Sequence, residues 1–410
     1  MSSAPVRTFV SESDVRAGSK WSDMTLMTVS QTAGVIPRHT VTSDPPRAAD
    51  LSKYKVCREG DLVLNRFNAY RGALGVAPET GIVSPDYCVL RVRKNADPRY
   101  LDYWLRAEPT VNAMLQSMGG IGASDPESSG FSRVSIRSLM REKIVEGNVH
   151  GQALIANFLD RETAKIDAMI EKQRTLVDGL RLRRISAIGG RLDPRSMEDG
   201  VWTRLPLKRT IRFQEGPGIL SHEFRDEGVP LLRISCAKGR EVTLDGCNFL
   251  DPETVASRWR HFGVTIGDLI ISASASMGTV SEVTDTSIEG AIPYTGLIRI
   301  MPGAMTQEFA KWFFVSPEFL RQIEHFKSGS TMQHFGPSHL AQMSVWLPDA
   351  ATQRRIAQQL ENEVGRIDAL IARSERLIEL SQERRSALIT AAVTGQINIA
   401  TDTMALEGAA

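Results

Sequence analysis

Arg66, Asn68, Tyr70 and Arg71 crowd into one short polar stretch, and together they have the chemistry to read a nucleic acid. An arginine can pair bidentately with guanine and an asparagine with adenine, while a tyrosine hydroxyl can meet a phosphate. A second set, Ser330, Thr331, Gln333 and His334, lies in the Gly/Ser-rich stretch Ser328-Gly329-Ser330-Thr331-Met332-Gln333-His334. Ser272, Ser274 and Ser276 form a third, small enough to reach a phosphate or base, or simply to let backbone come close. For each set a solvated surface loop is the competing explanation.

Catalytic groupings do not emerge from the sequence. Asp44-Pro45-Pro46-Arg47 falls one residue short of the motif with which amino-methyltransferases hold a flipped base: arginine stands where a ring must stack, and the segment reads as a turn. Pro85-Asp86 finds no acidic partner in Arg91-Val92-Arg93-Lys94, so a nuclease-type metal pair is incomplete. There is no Walker A loop, Gly119-Gly120-Ile121-Gly122 lacks a preceding strand and a following lysine, and the histidines make no H-E-x-x-H pattern. Cys57, Cys88, Cys236 and Cys247 are far apart with no C-x-x-C pair, which argues for reduced thiols and against zinc or disulfides. The expectation is a non-catalytic chain without metal or cofactor of its own.

The elements that must position these residues are written twice. Ile166-Asp167-Ala168-Met169-Ile170 returns 201 residues later as Ile367-Asp368-Ala369-Leu370-Ile371, and at the same offset Leu159 meets Leu360, Leu176 meets Leu377, and Arg183-Arg184 meets Arg384-Arg385. Leu159, Ile166, Met169, Leu176 and Leu180 predict a narrow heptad seam on a proline-free helix, and Leu360, Ile367, Leu370 and Leu377 predict its copy. Gln173 and Ser374 put a polar residue at the matching seam position of each. A seam so narrow suits a partner helix better than a globular core, and antiparallel pairing of the two copies is the expectation. Nearly forty residues would give a rod of roughly 55–60 Å.

Before each helix lies a lobe with matching signals. Gly60-Asp61-Leu62-Val63-Leu64 answers Gly267-Asp268-Leu269-Ile270-Ile271, and Tyr100-Leu101-Asp102-Tyr103-Trp104-Leu105 answers Phe309-Ala310-Lys311-Trp312-Phe313-Phe314. Trp104 and Trp312 read as core anchors. The predicted fold is α+β, two strand-rich mixed lobes separated by two long antiparallel coiled-coil helices in a pseudo-two-fold repeat. Its expected boundaries are a first lobe over 1–148, a helix over 149–192, a second lobe over 193–348, a helix over 349–398 and a flexible tail over 399–410.

Charge limits what the lobes can bind by attraction alone. The net charge of the 410 residues is +1; residues 1–150 carry 19 basic and 16 acidic side chains, residues 191–350 carry 16 and 19. Neither lobe is a polycation, so any binding to DNA must use locally placed Arg and Lys and added contacts from partners. The start has no apolar core of a signal peptide and no stretch approaches a membrane span, so the cytoplasm is the expected compartment and no membrane partner is expected.

Val229-Pro230-Leu231-Leu232-Arg233-Ile234-Ser235, the Gly267-Asp268-Leu269-Ile270-Ile271 turn, Ser328-Gly329-Ser330-Thr331, the helix start Gln353-Arg354-Arg355-Ile356-Ala357 and the closing Glu383-Arg384-Arg385-Ser386-Ala387-Leu388-Ile389 to Thr394-Gly395-Gln396-Ile397 together resemble the specificity subunit of type I restriction-modification systems. The resemblance covers nearly the whole chain and is weakest before Gly60. It implies two target-recognition domains, each reading one half of a split site in double-stranded DNA, and helices that set the spacing. It also implies two modification subunits carrying S-adenosylmethionine, docked on those helices, and restriction subunits that join them. The pattern departs where Pro348-Asp349 precedes the second helix and Glu146-Gly147-Asn148-Val149-His150 the first. A non-DNA coiled-coil scaffold with two adapter domains is the alternative.

Overall fold

In the computed structural model, Gly60-Asp61-Leu62 and Gly267-Asp268-Leu269 begin two deeply buried strands in the same way. Gly60 and Gly267 take left-handed conformations, φ +82° and +86°, which a side chain would resist. The aspartate that follows is buried and works locally. Asp61 accepts the N–H of Arg58 at 2.8 Å and two nitrogens of Arg91 at 3.0 and 3.2 Å; Asp268 accepts the N–H of Thr265 at 2.7 Å and pairs with Arg299 at 2.6 Å. Each carboxylate therefore closes its turn and ties it to a neighbouring strand.

The structure describes residues 3–46, 48–118, 133–145, 147–196, 201–273, 279–328 and 336–397. The chain divides into two units, residues 1–173 with 376–410, and residues 174–375. Each unit contains one lobe and one end of both long helices.

In the first unit the strands are β1 (Ser3–Pro5), β2 (Val10–Ser13), β3 (Thr25–Ser30), β4 (Gly34–Pro37), β5 (Lys55–Cys57), β6 (Leu62–Asn65), β7 (Leu74–Val76), β8 (Gly81–Val83), β9 (Tyr87–Val92) and β10 (Lys143–Val145). They form sheets in the orders β2-β9-β6-β7 and β4-β3-β8-β5, with β1 paired to β10. The helices are α1 (Pro98–Arg106), α2 (Glu108–Gln116), α3 (Ile136–Leu139) and α4 (Val149–Leu192). Strand β6 is apolar on both faces because both are covered. Leu62 and Leu64 join Tyr100, Trp104 and Leu159 in one core, while Val63 joins Met27, Val35 and Val83 in another.

The second unit repeats the plan with β11 (Thr203–Pro206), β12 (Arg212–Glu215), β13 (Phe224–Arg225), β14 (Val229–Leu232), β15 (Asn248–Leu250), β16 (Leu269–Ser272), β17 (Val280–Glu282), β18 (Ile292–Pro293), β19 (Leu297–Met301) and β20 (Ser344–Leu347). Their orders are β12-β19-β16-β17 and β13-β15-β14-β18, with β11 paired to β20. Helices α5 (Pro252–Thr254), α6 (Gln307–Phe313), α7 (Pro317–Ser328), α8 (Pro337–Gln342) and α9 (Ala350–Val393) complete it. Leu269 and Ile271 pack with Phe309, Trp312 and Leu360, and Ile270 turns to Leu232 and Val264. The fold is mixed α+β, as the patterning predicts, and both tryptophans sit in their cores.

Helices α4 and α9 hold 44 residues each, about 66 Å at the rise of an α-helix. Inside the second unit Arg181 meets Glu375, Arg184 meets Asp368 and Arg191 meets Glu363; as one number rises the other falls, so the segments run antiparallel. The start of α4, where the sequence departs from that of α9, is capped in the same way. Asn148 Oδ1 accepts the N–H of Gly151 at 2.7 Å, and Asp349 Oδ1 accepts those of Ala351 and Thr352 at 2.9 and 3.0 Å.

The seam needs correction at four of its nine positions. Leu159, Ile166, Leu180, Leu360 and Ile367 are buried, Met169 is half-buried, and Leu176, Leu370 and Leu377 are 48%, 52% and 37% exposed. The second buried row on α4 is Thr163, Ile170 and Val177, and on α9 Val364 is buried with Ile371 half-buried. Choosing Met169 instead of Ile170 shifts that row by one residue, about 100° around a helix. Ser374 is buried and Gln173 half-buried, and the division between the units falls beside both.

Candidate nucleic-acid interface

Arg66, Asn68, Tyr70 and Arg71 occupy the loop between β6 and β7. Asn65 opens it by accepting the N–H of Phe67 on its side-chain oxygen, 3.1 Å, and a short turn over Ala69–Arg71 closes it at Gly72. The four residues differ in freedom. Arg66 is half-buried and donates from Nε to the carbonyl of Val134 at 3.4 Å, while its own carbonyl accepts the N–H of Val134 at 2.9 Å. Tyr70 packs on the lobe's core. Arg71 is exposed, with its guanidinium 5.3 Å from the Tyr70 ring centre.

The fold adds residues that sequence reading missed. Val134 brings Arg133 to the same loop, its guanidinium 4.6 Å from the ring centre of Phe67 and 3.9 Å from Asp86. Arg66, Arg71 and Arg133 thus lie around one loop with two aromatic rings beneath them, an arrangement suited to phosphates and base edges. No local signal marks Arg133, because the pairing spans more than sixty residues.

In the second unit Ser272 is wholly buried, its N–H bonded to the carbonyl of Thr279 at 2.9 Å. It is therefore an interior strand residue, not an exposed contact, because β16 is buried on both faces to its last residue. Ser274, Ser276, Ser330, Thr331, Gln333 and His334 lie outside the described residues. What this unit does display is Arg233. Strands β14 and β18 run parallel with Leu232 opposite Pro293, so the next residues, Arg233 and Tyr294, emerge side by side. The Arg233 guanidinium lies 4.5 Å from the Tyr294 ring centre and 5.5 Å from that of Phe224, and donates to Asn248 Oδ1 at 3.0 Å. An arginine held this way has its plane fixed before any ligand arrives.

Cys57, Cys88 and Tyr100 in the first unit are buried. Burial pushes Cys57 up to about 11 and Cys88 and Tyr100 up to about 12, so none ionises near neutrality. Tyr100 donates its hydroxyl to the carbonyl of Val393 at 3.3 Å. No helix among the described residues is long and apolar enough to cross a membrane.

No protein-family model matches the chain. In sequence it is 26% identical over 201 residues to the type I restriction enzyme EcoBI specificity subunit of Escherichia coli, over 48% of this chain and 39% of that protein. It is 20% identical over 210 residues to the StySPI specificity subunit of Salmonella potsdam, over 49% of this chain and 43% of that protein. The aligned stretch thus spans less than half the length of these curated relatives. In fold it is similar to a chain from a structural study of complex assembly and conformational transition of the type I R-M system, with a TM-score of 0.75, 15% identity, and 97% and 98% of the two chains covered. The HsdS subunit from Thermoanaerobacter tengcongensis gives a TM-score of 0.54 at 15% identity, with 97% of each chain covered.

Proposed function

We propose that this chain is a DNA sequence-specificity subunit of a type I restriction-modification system, a reader that leaves catalysis to its partners. The observation that carries this reading is one lobe-and-helix plan built twice, in a chain that is similar throughout its length to a type I chain in fold and over about half its length to specificity subunits in sequence. Each lobe reads one half of a split site in double-stranded DNA. In the first lobe Arg71 and Arg133 meet phosphates or guanine edges and Asn68 meets adenine; in the second, Arg233 does the corresponding work.

Helices α4 and α9 each pass from one unit into the other, and they set the distance between half-sites, since half-site spacing mirrors the spacing of the readers. The same helices dock two modification subunits, which carry S-adenosylmethionine and methylate a flipped base; restriction subunits complete the assembly in the cytoplasm. With a net charge of +1, the chain needs those partners to supply much of the electrostatic attraction to DNA. A non-DNA scaffold is not favoured.

The test is selection from a random DNA pool by the complex of this chain with modification subunits. Two short enriched strings at a constant separation are expected. A complex that enriches no sequence contradicts the reading and favours the scaffold.

A further inference from the structure

Arg106 ends α1 and reaches back to the loop that carries Arg66, Asn68, Tyr70 and Arg71. Its Nε donates to Oδ2 of Asp102, one turn earlier, at 3.0 Å. Its two terminal nitrogens donate to the carbonyls of Gly72 at 3.3 Å and Leu74 at 2.6 Å. Those two carbonyls are the end of the loop and the start of β7. A guanidinium is planar with its N–H bonds in fixed directions, so three acceptors on a helix and a loop end determine the position of one relative to the other.

The fit is close on the loop side. A Cβ on Gly72 would stand 3.2 Å from the carbonyl oxygen of Gln31 and 3.6 Å from the Arg106 guanidinium. The base of the clamp is fixed too. Tyr103 and Arg99, on the same helix, both donate to Asp160 of α4 at 2.8 Å, and Thr163 of α4 lies 3.2 Å from the Tyr103 hydroxyl. Asp102 itself is poorly accommodated: its Oδ1 is buried and has no hydrogen-bond partner among the described residues, a costly state for a carboxylate. Such a pair contributes little net stability; what its three hydrogen bonds supply is position. The second unit has no counterpart, since Lys311 and Val315 stand where the aligned helix would need Asp102 and Arg106, and Lys311 pairs with Glu282 at 2.7 Å.

We propose that Arg106 is a positioning residue for one half-site, holding the end of the 66–72 loop so that its side chains meet DNA in register. This rests on the reading of that loop as a DNA contact. The test uses the full chain assembled with modification subunits and compares methylation rates on the wild-type target with rates on DNA altered in one half-site or the other. Arg106→Lys keeps a positive charge beside Asp102 but cannot reach three acceptors at once; Arg106→Gln with Asp102→Asn removes both charges together. Each should lower discrimination at one half-site about tenfold or more, the scale of a misread base pair, with the other half-site unchanged, and it should be the half-site that Arg71→Ala relaxes. Unchanged discrimination in both variants, or equal loss at both half-sites, overturns the proposal. If the wild-type complex itself discriminates at neither half-site, the functional reading fails before any variant is compared.

Discussion

Arg184 pairs with Asp368 at 3.0 Å, and the residues 201 positions away, Arg385 and Asp167, make the same pair at 2.9 Å. Each pair joins α4 to α9 within its own unit. The duplication has therefore preserved an interaction and not merely a pattern of residue types, and it has done so at the seam that holds the two helices together. Asp368 also receives Arg240 from its lobe, a contact with no counterpart at Asp167 among the described residues.

Double-mutant cycles should rank the two pairs by exposure. The Arg184–Asp368 side chains are about a quarter exposed, those of Arg385–Asp167 34% and 51%. Water screens the second pair more, so its coupling energy should lie near 0.2 kcal/mol and that of the first nearer ~1 kcal/mol. Urea melts of the four variants in each cycle measure this. A larger value for Arg385–Asp167 would contradict the ranking.

A second duplicated bond is buried, and its loss should cost more. Gln152 accepts the N–H of Asp97 at 2.9 Å and donates to the carbonyl of Gly147 at 3.2 Å; Gln353, 201 residues on, accepts from Thr306 at 2.8 Å and donates to Pro348 at 2.9 Å. Both glutamines are 1% exposed, and each ties the start of a long helix to the cap of its lobe's aromatic helix. Gln353→Leu keeps the volume but strands buried polar groups, at about 1–3 kcal/mol. Gln152→Leu should destabilise the first unit similarly in the same melts.

Alkaline pH should unfold the first unit progressively. Cys57, Cys88 and Tyr100 keep their protons in the folded chain to about 11, about 12 and about 12, whereas the unfolded chain releases them above its ordinary values of 9.0 and 10.0. The folded state thus binds more protons, and stability falls as pH rises above about 9, by about 1.4 kcal/mol per pH unit for each group between its two values. Melting temperatures taken from pH 8 to 11 should show a steepening decline, shallower in Cys88→Ala. An identical slope in that variant would remove Cys88 from the account.

Much of this architecture is legible in the chain because duplication acts as an internal comparison. Gly60-Asp61-Leu62 against Gly267-Asp268-Leu269 exposes a turn, and Ile166-Asp167 against Ile367-Asp368 exposes a seam. The seam's second row is misread because Met169 and Leu176 are as apolar as Ile170 and Val177; hydrophobicity alone does not say which of two adjacent residues a partner helix covers. Interface residues are harder still. Arg133 reaches Phe67, and Tyr294 reaches Arg233, only because strand pairing brings distant segments together. Ser272 reads in the sequence as a polar loop residue but is buried in its strand, since a hydroxyl fits an interior position when strand geometry satisfies the backbone beside it.

The most direct measurement is a genome-wide map of adenine methylation in a host without its own modification systems, expressing modification subunits with and without this chain. The account predicts methylation only when the chain is present, in a motif of two short fixed strings separated by a constant number of unread bases. Methylation in an uninterrupted motif, or methylation that persists when the chain is omitted, would contradict it.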